Sequence, residues 1–183
     1  MTDQKPKLLL HICCVGCGVY VSQLLKLDYD VKLFFYNPNI WPEEEYKKRL
    51  GEAEKIAKKF NLELIKGEYD HDKWLKAVRG HESNPEKGER CLICYKFRLD
   101  EAVIMAKKFS CDYLTTTLTT SPHKVASAIN EIGEQAAARF GIKFLSQDFK
   151  KQDGFKKSSA LSRELGLYRQ NYCGCEFSRS HKF

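Results

Sequence analysis

The sequence has no internal repeat, no low-complexity segment and no long block of one charge. These absences exclude solenoids, collagen-like chains and coiled coils, and they argue against disorder. Of the 183 residues, 43% are hydrophobic and 30% are charged, which is ordinary for a globular protein. A chain of this length can bury a substantial core without disulfide staples. We therefore predict a single globular α/β domain over residues 1–183.

The sequence also shows no stretch that fits a membrane-spanning segment or a secretory signal. Residues 8–25 carry no formal charge, but they include His11, Gly16, Gly18 and three cysteines, which are too polar and too broken for an apolar span. The stretch lacks a small-residue cleavage site, so it does not fit a secretory signal. A strand, a turn and a helix explain it better. We expect a cytoplasmic protein with no membrane partner.

Five short apolar runs alternate with helical patterns along the chain. This alternation predicts a doubly wound parallel sheet of about five strands with helices on both faces. Ligands bind beyond the carboxyl ends of the strands in such sheets, so functional residues should directly follow strands. The predicted strands are 7–12, 31–36, 62–65, 112–118 and 142–145, and the predicted helices are 18–27, 42–60, 71–79, 91–109, 124–140 and 158–165.

Cysteine is what the sequence has in excess, with eight residues. In a reducing compartment, clustered cysteines are more often metal ligands or redox groups than disulfides, and we expect no disulfide. Cys111 stands alone and is expected to be a small buried core residue. The other seven form three groups: Cys13, Cys14 and Cys17 in the turn after the first strand, Cys91 and Cys94 as a C-x-x-C at a helix start, and Cys173 and Cys175 as a C-x-C in the tail.

These groups predict a metal or iron–sulfur centre. Thiolates are favoured at a helix N terminus, because exposed N–H groups and the positive end of the helix dipole stabilise negative sulfur. Four thiolates satisfy one zinc ion or one [4Fe–4S] cluster, which leaves three for a second metal or an open catalytic position. Adjacent side chains should point in different directions, so Cys13 and Cys14 could serve different metals. One assignment gives Cys91, Cys94, Cys173 and Cys175 to a cluster and Cys13, Cys14 and Cys17 to a second site.

Positive charge is concentrated near the C terminus. The net charge is +7 overall, and residues 143–183 hold nine Lys or Arg against four Asp or Glu, a net +5. We expect this basic segment to pack on the active-site edge and to meet an anionic partner, RNA or DNA first, with a solvated basic face as the alternative. The candidates for substrate or tRNA contacts are Thr119, Thr120, His123, Lys150, Lys151, Tyr168 and Arg169.

Three further residues are expected to have structural roles. His11 lies within a strand, and a hydrogen-bonded core histidine is expected there. Trp41 and Trp74 lie near loops, where packing is expected and stacking on a nucleobase is the alternative.

Four segments taken together resemble the QueH-type epoxyqueuosine reductases. The resemblance spans nearly the whole chain, although Val15-Gly16 stands where the family often has Ala-Pro. It implies a fold like that of adenine-nucleotide α-hydrolases and PP-loop proteins (HUP-like). It also implies reduction of epoxyqueuosine to queuosine in tRNA, the last step of queuosine biosynthesis. The segments are Leu8–Cys17, Glu89–Leu99, Asp148–Gly154 and Leu167–Cys175.

The resemblance also implies cofactors and partners. The seven cysteines would hold a [4Fe–4S] cluster and a second iron or other divalent metal, and cobalamin is not expected. ATP use is not expected either, because the turn after the first strand is Cys-Cys-Val-Gly-Cys and not the Ser-Gly-Gly-x-Asp-Ser loop of ATP-using relatives. The implied partners are queuosine-family tRNA, through its anticodon arm, and an electron donor that the sequence does not identify. Deoxygenation also needs a proton, and Asp148 and Tyr95 are the candidate donors.

Two other classes of protein stay open. A zinc-stabilised tRNA-binding module would use four of the cysteines and the basic tail without redox chemistry. A PP-loop-like tRNA sulfur transferase would carry sulfur on its thiolates and would need ATP or a persulfide donor.

Overall fold

The computed structural model describes residues 4–179. In that part of the chain, strands alternate with helices as the sequence pattern predicts. The strands are β1 (Lys7–Ile12), β2 (Asp30–Phe35), β3 (Glu63–Lys66), β4 (Tyr113–Thr116) and β5 (Lys143–Phe144). The α-helices are α1 (Val15–Leu25), α2 (Glu43–Phe60), α3 (His71–Ala77), α4 (Glu89–Lys108), α5 (Ala126–Ala138) and α6 (Gly154–Glu164).

The strands of the described residues form one five-stranded parallel sheet in the order β3-β2-β1-β4-β5. This confirms the predicted doubly wound sheet. The strand order reverses between β1 and β4, and ligands bind at such a switch point, beyond the carboxyl ends of the strands. The segments that begin at Cys13 and at Thr117 leave the sheet there.

Side chains of the central strand alternate between two hydrophobic cores. Leu8 and Leu10 join the core formed with α1 and α2, whereas Leu9 joins the core formed with α4 and α5. Burial on both faces explains why β1 is apolar almost throughout. His11 is fully buried and hydrogen-bonded to Thr116 Oγ1 at 2.8 Å. Burial lowers its pKa to about 3, so it is the neutral core histidine that its place in a strand predicts.

Several element boundaries differ from the sequence expectation, and three of them lie close to the cysteines or to the predicted site residues. α1 begins at Val15, so Cys17 lies in the helix and not in the turn. β4 ends at Thr116, because the Thr116 hydroxyl accepts a hydrogen bond from the Leu118 N–H and the next four residues form a 3₁₀ turn. α6 begins at Gly154 and not at Ser158, directly after two left-handed residues.

The uncharged stretch 8–25 is divided between β1 and α1, as expected. Among residues 4–179, no helix is both long and apolar enough to cross a bilayer. Cys111 is buried, 6% exposed, as expected for a core residue. Of the predicted basic segment 143–183, the last four residues lie outside the described residues.

Candidate metal centre

The first three cysteines lie together at the carboxyl end of β1. The Sγ atoms of Cys13 and Cys14 are 3.9 Å apart, and Cys17 is close enough to raise the pKa of Cys14. The expectation that Cys13 and Cys14 point in different directions is therefore wrong, because the chain bends at Cys13 and the alternation of an extended strand ends there. All three thiols lie at the N terminus of α1, whose dipole favours negative sulfur.

The thiols of Cys13 and Cys14 hold their protons tightly when no metal is bound. The hydrogen bond with Cys14, together with burial, raises the pKa of Cys13 well above its usual value. The bond from Cys13 lowers the pKa of Cys14, but the contact with Cys17 and burial outweigh it and raise it to about 11. A metal ion that binds here must displace these protons.

The C-x-x-C and the C-x-C form a second group. Cys91 and Cys94 lie in the first two turns of α4, and the tail returns against them. Cys94 and Cys175 pack with Trp74, while Cys91 and Cys173 line a common cleft. Burial raises the pKa of Cys94 and, to about 11, that of Cys175, and the neighbouring Cys173 adds to both shifts. Four thiols from two distant segments thus interact electrostatically.

A buried arginine of α2 holds the C-x-C in place. Arg49 donates from Nη1 to the carbonyl oxygen of Cys173 at 3.0 Å and from Nη2 to that of Tyr172 at 3.3 Å. Gly174 has a φ of +129°, and a Cβ at this position would lie 3.0 Å from Arg49 Nη1. The residue between the two cysteines is glycine because the backbone passes so close to this guanidinium.

Two cations lie between the cysteine groups. Arg98 is 2% exposed and interacts with Cys94, Cys13 and Cys173. Its Nη2 donates to the Asn37 amide oxygen, and no carboxylate among the described residues forms an ion pair with it. The ammonium group of Lys124 likewise adjoins Cys173 and Cys13. Burying a charge without a counter-ion is strongly unfavourable, so negative charge on the sulfurs would stabilise this arrangement.

Unused hydrogen-bond donors point to the same conclusion. Within residues 4–179, Nε1 of Trp74 and the Nε atoms of Arg90 and Arg98 are buried without a hydrogen-bond acceptor. Trp74 is nevertheless close enough to Cys94 to lower the pKa of that thiol. Sulfurs of a metal centre accept such N–H bonds, which tune the potential of the metal.

The donor set therefore fits an anionic, thiolate-ligated centre. The thiols converge without being closed into a coordination cage: among residues 4–179, no three His, Cys, Asp or Glu side chains already form a metal-binding group. The disulfide-free expectation holds for the described cysteines, all of which are free thiols.

A narrow cleft opens beside the sulfurs, and it contains two of the predicted site residues. Tyr95 and His123 line it together with Lys124, Cys91 and Cys173. Burial raises the pKa of Tyr95 well above its usual value, so its phenol keeps its proton. The cleft holds about 10 Å³, which is room for one water molecule.

Asp148 lies in a different place. It lines a cavity of about 590 Å³ between α1 and the loop after β5, together with Lys151. Its carboxylate pairs with Lys150 at 3.3 Å, and Lys150 also donates to the carbonyl oxygen of Lys124. This cavity is larger than the cleft, but no cysteine lines it. The cleft, and not this cavity, adjoins the cysteines.

The remaining candidates are spread around the same edge of the sheet. Thr119 and Thr120 are buried in the 3₁₀ turn, and α5 begins only at Ala126, so they are not at a helix N terminus. Tyr168 donates to the Glu45 carboxylate, and the ammonium of Lys48 lies 3.6 Å from its ring centre. Arg169 is exposed and donates to Ser159 at 3.1 Å.

Sequence reasoning missed the two cations. Arg98 follows Cys94 by four residues and Cys91 by seven, so all three lie on one face of α4, and this spacing was an available signal. No comparable spacing from a cysteine identifies Lys124, which follows His123 in a chain that is rich in lysine and arginine.

Comparisons with known proteins show the family of this chain. The family model "Epoxyqueuosine reductase QueH" matches residues 8–181. The chain is 34% identical over 180 residues to epoxyqueuosine reductase QueH of Streptococcus pyogenes serotype M1, covering 95% of this chain and 71% of that protein. It is 38% identical over 176 residues to epoxyqueuosine reductase QueH of Thermotoga maritima, covering 93% of this chain and 88% of that protein.

Two solved structures share the fold. U34-tRNA thiolase NcsA from Methanococcus maripaludis, solved with its [4Fe-4S] cluster, matches with a TM-score of 0.60 at 14% identity, covering 96% of this chain and 62% of the thiolase. A predicted subunit of tRNA methyltransferase from Methanocaldococcus jannaschii matches with a TM-score of 0.54 at 18% identity, covering 84% and 74%. These likenesses confirm the predicted α/β fold. By the family match and the identities to its relatives, the chain belongs to the epoxyqueuosine reductase QueH family.

Proposed function

We propose that this chain reduces epoxyqueuosine to queuosine in tRNA at the seven-cysteine centre. Its relatives are epoxyqueuosine reductases, so the chain is an oxidoreductase. One observation carries the proposal: thiols from three distant segments meet around Arg98 and Lys124, with no carboxylate of the described residues to balance Arg98. Thiolates that hold reducible iron would carry the missing negative charge, and the iron would provide a route for electrons.

The two cysteine groups suit two metals. Cys91, Cys94, Cys173 and Cys175 interact with one another and would hold a [4Fe–4S] cluster. Cys13, Cys14 and Cys17 would hold a second iron or other divalent metal. When bound, the cluster supplies electrons one at a time, and the second metal supplies a Lewis acid for the epoxide oxygen.

Deoxygenation of an epoxide takes two electrons and two protons and leaves an alkene and water. Tyr95 lines the cleft beside Cys91 and Cys173, so we assign proton donation to its phenolic Oη. Lys124 sits beside Tyr95 and holds positive charge against the sulfurs. A role for Asp148 in proton supply stays a prediction, because Asp148 lines the larger cavity.

The tRNA would approach the carboxyl edge of the sheet. Lys150, Lys151 and Arg169 would contact its phosphates, and His123 lies at the cleft. Thr119, Thr120 and Tyr168 would contribute to tRNA binding indirectly, because they support neighbouring loops and side chains. The proposal also includes binding through the anticodon arm of the tRNA, an electron donor that is not identified and a cytoplasmic location.

The decisive assay uses oxygen-protected protein loaded with iron and sulfide. Epoxyqueuosine-containing tRNA is incubated with a chemical reductant, with and without ATP or cobalamin, and the digested nucleosides are identified by mass spectrometry. We expect queuosine, one oxygen atom lighter, without either addition. Activity of a zinc-only preparation, or strict dependence on ATP, would overturn the proposal.

A further inference from the structure

An exposed tryptophan lies directly beside the C-x-C. Trp41 is 38% exposed, whereas Trp74 is 1% exposed in the core. The Trp41 N–H donates to the carbonyl oxygen of Gly174 at 2.9 Å, and Tyr172 donates from its hydroxyl to the Trp41 carbonyl oxygen at 2.7 Å. Gly174 separates Cys173 from Cys175, so the Trp41 backbone is bonded to the residue between two proposed ligands.

A cation accompanies this ring. The guanidinium of Arg179 lies 5.1 Å from the Trp41 ring and 6.0 Å from the Tyr172 ring. Among the described residues, no carboxylate forms an ion pair with Arg179. An aromatic ring next to a guanidinium that has no carboxylate partner within residues 4–179 offers two groups that bind single-stranded nucleic acid, because a ring can stack on a base and a cation can contact a phosphate.

We propose that Trp41 and Arg179 form a platform for a nucleotide next to the one being reduced. The inference rests on the proposed function and adds the place where the RNA strand is gripped. The platform's backbone is fixed by the same tail that carries Cys173 and Cys175, so a base stacked on Trp41 keeps its neighbour close to the cleft. The basic segment 143–183, with a net +5, provides the complementary charge.

Tryptophan fluorescence reports directly on such a contact. A synthetic anticodon stem–loop RNA is titrated into the iron-loaded wild type and into Trp41→Phe, Trp41→Ala and Arg179→Gln. Stacking should quench the exposed Trp41 in the wild type, and the quench should disappear in both Trp41 variants. We expect Trp41→Ala to bind RNA about tenfold more weakly, whereas Trp41→Phe retains most of the affinity because it keeps a ring.

Arg179→Gln tests the phosphate contact separately. The slope of log affinity against log salt should become shallower by about 0.7, the value for one lost contact to a single strand. Phe140→Ala is the matched control, because Phe140 has the same 38% exposure but lies beyond the C terminus of α5, far along the chain from the tail contacts. It should bind RNA like the wild type.

The outcomes separate the two proposals. If the wild type binds the stem–loop but Trp41→Ala binds equally well, the ring only clamps the tail and the platform is disproved. If the wild type does not bind the stem–loop, the tRNA-reductase proposal fails with it. Quenching by anionic phospholipid vesicles but not by RNA would assign the surface to a membrane and would also overturn the platform.

Discussion

Arg49 and Cys173 are 124 positions apart in the chain, yet Nη1 of Arg49 donates a 3.0 Å hydrogen bond to the carbonyl oxygen of Cys173. The described cysteines form no disulfide, so hydrogen bonds of this kind hold the tail at the sheet. His71 adds another anchor, because its Nε2 lies 3.0 Å from the Glu176 carboxylate one residue beyond Cys175. The positions of the C-x-C sulfurs therefore depend on groups of α2 and α3.

Arg49→Gln should loosen the tail. The change removes charged hydrogen bonds to two carbonyl oxygens and leaves Glu45 without its ion-pair partner. We expect the free energy of unfolding to fall by about 3 kcal/mol and iron to be lost faster to a chelator. Arg163→Gln, an exposed change on α6, should alter neither quantity. Unchanged iron loss in Arg49→Gln would show that the anchor is dispensable.

The seven grouped cysteines should differ sharply from the eighth. Serine at any of the seven should lower the iron content and reduce activity more than about 100-fold, because a ligand is lost. Cys111→Ala removes a thiol whose Sγ lies 3.9 Å from the Phe109 carbonyl oxygen. It should keep full iron and activity and cost only about 1 kcal/mol of stability. Iron analysis of all eight variants checks this, and any grouped variant with full iron contradicts its assignment as a ligand.

Arg98→Met should act mainly on the metal-loaded protein. In the metal-free form Arg98 is a buried cation without a carboxylate partner, so its removal also relieves an unfavourable charge. In the loaded form it faces thiolates. The stabilisation gained on iron loading should therefore shrink by about 3 kcal/mol. Thermal unfolding with and without iron measures this difference, and equal destabilisation of both forms would mean that Arg98 is only a packing residue.

Tyr95→Phe should separate proton supply from metal binding. The ring still fills the core beside Leu99, but the phenolic proton is gone. We expect kcat to fall about 100-fold with iron content and the KM for tRNA unchanged. Tyr113→Phe removes a hydroxyl from the first residue of β4, at the opposite edge of the sheet, and should have no effect. Loss of iron in Tyr95→Phe would point to a structural role instead.

The fold was predictable because its signals are local and repeated. A strand that is buried on both faces has an almost wholly apolar sequence, and this run predicted β1. The alternation of strands and helices predicted the parallel sheet. The predicted element boundaries were wrong where local interactions set the course of the backbone. The Thr116 hydroxyl ends β4 early, and the glycines of α1 proved compatible with a helix that starts at Val15. The single-domain organisation stays a prediction.

The site was predictable only in part. The spacing of the cysteines in the sequence predicts the three groups and their place at the edge of the sheet. The family and the reductase activity expected from those motifs are confirmed by the comparisons. No pattern in the sequence identifies Arg49 or Lys124 as part of the site. A basic residue that the fold buries beside the cysteine segments has the same sequence signature as one that stays in solvent.

Iron and acid-labile sulfide analysis of oxygen-protected protein tests the central claim most directly. After anaerobic loading, we predict about five iron and four sulfide per chain, together with visible absorption that dithionite bleaches. Four of these iron atoms belong to the cluster and the fifth to the second site. A colourless protein that binds one zinc ion and no sulfide would contradict the account.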